Sequence, residues 1–206
     1  MKNNLLFAVA AALLSIIVCS CSDHESWADN YVTNMVELDT DTKGGAVLMR
    51  LDNGVTYQLD GSRKFNRPDT TYRCVCVYTT QGARAVLASC AEALSSRPYT
   101  PAADLEIKQD PCELTSIWVS GGYLNARIVI QGKDKPHTFG FIDQGITSNP
   151  DGSRTLTLLL HHDQNSDMEA FSRTVYLSCL IRDCELQPKR DSVRLIMPDK
   201  TCALIR

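Results

Sequence analysis

The chain has 206 residues, 44% of them hydrophobic, which is enough to fill a sizeable core and excludes global disorder. Its 21 Lys and Arg stand against 24 Asp and Glu, a formal net charge of −3. A mildly acidic chain without a basic stripe is poorly suited to tracking a phosphate backbone, so nucleic acid is excluded as an expected partner.

Lys2 and the amino terminus form a small positive n-region, and Leu5 to Val18 is an unbroken run of apolar or small residues. That run is too short for an ordinary membrane span but suits a signal-peptide core. It ends in Val18-Cys19-Ser20-Cys21, which resembles a bacterial lipobox. The small residues give a peptidase access, and the Cys21 thiol can take a diacylglyceryl group. Ordinary secretion with cleavage nearby is the competing reading. The expectation is a lipoprotein signal peptide over 1–20, lipidation at Cys21 and a polar tether over 21–30. The mature protein is then held at a membrane of the cell envelope, the outer membrane, by its lipid; which face it occupies stays open.

From Tyr31 onward the pattern is strand-like. Val47, Met49 and Leu51 alternate before Asp52-Asn53-Gly54, and Val55, Tyr57 and Leu59 alternate after it. A three-residue loop with Gly54 in the left-handed region sets Leu51 opposite Val55, Met49 opposite Tyr57 and Val47 opposite Leu59, with all the apolar groups on one face. Thr71 to Thr80 reads as a strand that turns at Gln81-Gly82. Arg84 to Leu94 is alanine-rich, and Val86, Leu87, Cys90 and Leu94 sit at helical spacing, so pattern alone predicts a helix there. Ser95 to Pro111 carries Pro98, Pro101 and Pro111 and reads as an interdomain linker. Alternation then returns at Leu124 to Ile130, Leu156 to Leu160, Val175 to Ile181 and Val193 to Met197, with turns at Lys133 to Pro136 and Asn149 to Gly152. Short strands at this spacing without helical interruption predict an antiparallel sandwich.

Around Ile117-Trp118-Val119-Ser120-Gly121-Gly122-Tyr123-Leu124-Asn125 the chain resembles the NigD-like lipoproteins of Bacteroidetes. Leu51-Asp52-Asn53-Gly54, Leu160 to Asp167 and Asp191 to Leu195 are similar to further stretches of that family. The resemblance implies an all-β protein: an OB-like barrel over 31–100 followed by an antiparallel β-sandwich over 111–206. It also implies that Arg84 to Leu94 is a strand, and we follow it there. It offers no catalytic residue to carry over.

Of nine cysteines, Cys19 would leave with the signal and Cys21 would be lipidated. The rest are Cys74, Cys76, Cys90, Cys112, Cys179, Cys184 and Cys202, an odd number that leaves at least one thiol unpaired. Cys74 and Cys76 share a strand face and read as small core residues. His161-His162-Asp163, with Asp167 and Glu169, is the best metal candidate. Neighbours in a strand diverge, however, so a strand-end loop is favoured and no metal is expected. His137 reads as a lone loop or edge residue. No nucleophile elbow, P-loop or dinucleotide motif is present, so no catalytic residue or cofactor is expected, and the chain is expected not to be an enzyme. Trp118 is the candidate ligand contact, able to stack on a sugar ring; an inter-sheet core position is the favoured alternative. The function expected is a non-enzymatic binding or structural accessory at the envelope, with an envelope protein or glycan as partner. A carbohydrate-binding surface lipoprotein is the alternative, and a hydrolase stands behind it.

Overall fold

The computed structural model describes residues 30–205. The expected signal peptide over 1–20, Cys21 and the expected tether up to residue 29 lie outside the described residues. Within them the protein is all-β, with two architectures in series. Strands β1 (Val32–Thr40), β2 (Ala46–Leu51), β3 (Thr56–Gln58), β4 (Thr71–Gln81) and β5 (Arg84–Glu92) close into a barrel in the order β1-β2-β3-β5-β4. Eight further strands follow: β6 (Leu94–Ser96), β7 (Glu113–Ser120), β8 (Tyr123–Gly132), β9 (Thr138–Ser148), β10 (Arg154–Asp163), β11 (Phe171–Leu180), β12 (Ser192–Ile196) and β13 (Thr201–Ile205). They form two four-stranded sheets, ordered β13-β12-β10-β9 and β6-β11-β8-β7.

The β2–β3 hairpin has the expected register. Met49 pairs with Tyr57, the Leu51 N–H donates to the Val55 carbonyl, and Gly54 takes φ +88°. Its apolar set departs from expectation at two positions: Val55, at the end of the loop, is exposed, and so is Val47. Asp39 pairs with Leu48 and Thr40 with Ala46, so Val47 is the extra residue of a bulge and turns outward.

Arg84–Glu92 is a strand, against the helical spacing of its apolar residues. The spacing has a physical source. Tyr78 pairs with Leu87 but Val77 pairs with Ser89, so Ala88 is an inserted residue. Leu87 and Cys90, both packed on the barrel core, are thereby three apart, a separation that imitates a helical turn.

The proline-rich stretch 95–111 is not a free linker. Leu94 to Ser96 pair in parallel with Leu177 to Cys179, so β6 lies inside the sandwich sheet. Tyr99 is clipped to β9: its N–H donates to the Phe141 carbonyl at 3.0 Å and its carbonyl accepts from Asp143 at 2.9 Å. Gln109 bridges His162 on β10. The prolines rule out regular pairing across the stretch but leave these single contacts available.

Each architecture has its own core. Val36, Leu38, Met49, Tyr72, Cys74, Cys76 and Tyr78 fill the barrel. Leu124, Ala126, Ile128, Leu156, Leu158, Leu160, Leu177, Cys179, Val193 and Leu195 fill the sandwich, the inward halves of the alternating runs read from the sequence.

Candidate functional site

The β7–β8 hairpin is where barrel and sandwich meet. Ser120 pairs with Tyr123 across Gly121-Gly122, whose φ values are +60° and +81°. Positive φ at both central positions is the geometry of a type I′ turn, which strongly favours glycine. Space imposes the same choice: a Cβ on Gly121 would meet Asp52 Oδ1 at 2.3 Å, and one on Gly122 would meet Arg182 Cβ at 2.7 Å. The result is a tight hairpin pressed against the barrel.

A polar network occupies the junction. On the barrel's outer face Glu37 of β1 pairs with Arg50 of β2 on one side and Arg73 of β4 on the other. The Arg73 side chain is 1% exposed and donates to both carboxylate oxygens of Asp52, at 2.6 and 2.8 Å. It also reaches Asn125 Oδ1 of β8 at 3.3 Å and lies over the Tyr123 ring at 4.3 Å. Asn125 in turn accepts from Ser178 and donates to Ser120. Glu37 accepts from Arg50, from the Tyr123 hydroxyl at 2.7 Å and from Arg182. Burial pushes the Glu37 carboxyl up, but these donors outweigh it and hold it below its ordinary value. Burial, and then the bond to Glu37, push the Tyr123 hydroxyl up to about 12.

Beside this network lies a cleft of about 470 Å³, lined by Thr33, Asn34 and Met35 of β1, by Leu51, Asp52 and Asn53, and by Trp118 and Ser120 of β7. Trp118 is half-buried. Its neighbours Ile117 and Val119 pack on the sandwich core, and β7 alternates, so Trp118 faces the other way, toward the cleft. The favoured inter-sheet position for Trp118 is thus corrected. Asp52, fixed by Arg73 and by the Ser120 hydroxyl, forms the cleft's charged corner. Sequence reading missed Asn34, Asn53 and Ser120 as cleft residues. The usable signal was Gly121-Gly122, which marks a close backbone approach.

The histidines are placed differently from expectation. His161 and His162 lie within β10, not in a strand-end loop, and both are buried. β12 pairs only with Thr155 to Leu159, so the neighbouring part of β10 is free for the 108–110 segment. There the Lys108 N–H donates to His161 Nδ1, and His162 Nδ1 meets the Asp110 carbonyl at 2.8 Å. His137 is not alone: its Nδ1 is 2.9 Å from His162 Nε2, and the rings stack at 5.1 Å. Burial is the main reason His162 is held below its ordinary value. Asp167, buried nearby, accepts backbone N–H bonds from Lys133, Asp134, Lys135 and Met168, which orders the turn after β8. Among the described residues no group of three or more His, Cys, Asp or Glu is arranged to hold a metal ion, and no helix is long and apolar enough to cross a membrane.

The family model of the NigD-like C-terminal beta sandwich domain matches residues 95–201. A solved NigD-like immunity protein from Bacteroides caccae is similar at 25% identity and a TM-score of 0.65, over 85% of this chain and 92% of that one. A protein of unknown function from Bacteroides vulgatus shares the fold at 15% identity and a TM-score of 0.60, over 85% of this chain and 91% of its own. No match is found among curated proteins.

Proposed function

The chain belongs to the NigD-like family, and from that premise we propose that it is a non-enzymatic binding module, tethered to the cell envelope by a lipid on Cys21, that takes its ligand in the Trp118 cleft. The observation that carries this reading is the setting of Trp118: a large aromatic side chain kept out of both cores, in a cleft whose other walls include the Asn53 amide, the Thr33 hydroxyl and the Asp52 carboxylate. An aromatic face bordered by such groups suits the apolar face and hydroxyls of a sugar ring, so a glycan is the favoured ligand class. The name of the Bacteroides caccae relative favours a protein ligand as the second reading. The proposed organisation is a signal peptide over 1–20, a tether over 21–30, the barrel, and then the sandwich.

The two tryptophans are Trp27 and Trp118, so Trp27→Phe isolates the cleft signal. Oligosaccharides titrated into that variant should shift Trp118 emission saturably, and Asn53→Ala should weaken the response. A panel without effect, together with capture of an envelope protein that Trp118→Ala abolishes, would replace the glycan with a protein ligand. Binding that survives Trp118→Ala unchanged would refute the cleft reading altogether. Cys21→Ala should release the protein from the detergent phase; continued partitioning would refute lipidation.

A further inference from the structure

β4 turns Cys74 and Cys76 into the barrel, where both are fully buried, and β5 lays the half-buried Cys90 directly opposite Cys76. The Ala88 bulge is what brings Cys90 to the inner face. The three thiols thus share one patch of the barrel core, Cys74 two residues from Cys76 on the same strand face and Cys90 paired across from Cys76. Arg63, between β3 and β4, donates Nη2 to the Cys90 carbonyl at 3.0 Å, so its cation borders the cluster. Hydrogen bonds from Cys74 and Cys76, aided by the Arg63 charge, outweigh burial and lower the Cys90 thiol well below its ordinary value. Hydrogen bonds with Cys76 and Cys90, then burial, raise Cys74.

We propose that Cys74, Cys76 and Cys90 form a thiol–disulfide exchange site in which Cys90 is the entry thiol and Cys76 the resolving one. The co-reactant is a small disulfide. The Cys90 thiolate attacks one of its sulfurs, forming a mixed disulfide and expelling one thiolate. Cys76, giving up its proton, then attacks Cys90 Sγ, forming the Cys76–Cys90 bond and expelling the second thiolate, which takes up that proton. Two protein thiols are oxidised and one disulfide is reduced to two thiols. Register supports this pair: residues directly opposite on antiparallel strands have Cα atoms about 4.5–5.5 Å apart, within the span of a disulfide. Cys90 is the most accessible of the three, being only partly buried, whereas Cys74 and Cys76 are sealed. The bond has a mechanical effect as well. β5 is tied to β3 through one residue pair, Gln58 with Arg84, and the disulfide would clamp its far half to β4.

Full-length protein in detergent, treated with oxidised glutathione, acid-quenched, unfolded and alkylated, should give a Cys76–Cys90 linked peptide on mass-spectrometric mapping. Cys112, which burial pushes up to about 11, should remain alkylated in the same sample. The oxidised protein should melt at a higher temperature than the reduced one, and Cys90→Ser should abolish the linkage. If that variant does not fold, the wild-type map and rate decide. Three reduced thiols after treatment, glutathione left on Cys90, a different Cys90 partner, or linkage no faster than in the urea-unfolded chain would each overturn the proposal.

Discussion

Replacing Arg73 by methionine removes one partner of a buried ion pair while keeping much of the side chain's bulk. Taking one ion from such a pair costs about 3–5 kcal/mol, mostly from stranding the other charge. Here the stranded group is Asp52, whose side chain keeps 20% of its exposure and the hydroxyl of Ser120. Those features let water reach it and place the loss near the lower limit. The bond to Asn125 and the cation over Tyr123 are lost as well, the latter worth about 0.5–2 kcal/mol. The net expectation is ~4 kcal/mol, or a fall in Tm of roughly 8–16 °C for a protein of this size. Urea unfolding followed through Trp118 emission in the Trp27→Phe background reads both the global transition and the state of the cleft. Arg73→Met/Asp52→Leu should be less destabilised than Arg73→Met alone, because no charge is left stranded. A single variant within about 0.5 kcal/mol of wild type, or a double variant worse than the sum of the singles, would refute the interface account.

His162→Ala should lower stability by about 2–4 kcal/mol, since it strips a buried group from both the Asp110 carbonyl and His137, while His161→Ala should cost less; urea midpoints compare them, and reversal of the order would contradict the packing described. The Glu37 carboxyl is held down in the folded state, so its contribution is present above its unfolded value and fades as pH falls through the folded one. Glu37→Gln should therefore weaken the protein near neutrality and flatten the acid limb of a stability curve run down to about pH 3; parallel curves would count against it.

The sandwich strands were legible because their signal is local: Leu156, Leu158 and Leu160 alternate, and alternation is all that one buried face requires. The β2–β3 register was legible for the same reason, with Gly54 fixing the loop. Glu37 and Arg73 were not. Each alternates with apolar neighbours as a solvated residue would, and what buries them is Tyr123 and Asn125, far along the chain. Trp118 was misplaced because size alone favours a core, while its orientation depends on which neighbours face inward. His137 looked solitary since its partner, His162, lies 25 residues on, at the far end of the β9–β10 hairpin. The β5 pattern misled because a single inserted residue, Ala88, turns a period of two into a separation of three.

The charged join between barrel and sandwich also bears on the order of assembly. All five barrel strands precede β6 in the chain, whereas β6 must wait for β11 before its sheet can form. In a chain made from its amino terminus, the barrel is complete while the rest is still being synthesised. An apolar docking face would then be sticky throughout that wait. Glu37, Arg50, Asp52 and Arg73 instead give the half-made protein a hydrated surface that resists association, and water leaves it only when Tyr123 and Asn125 arrive.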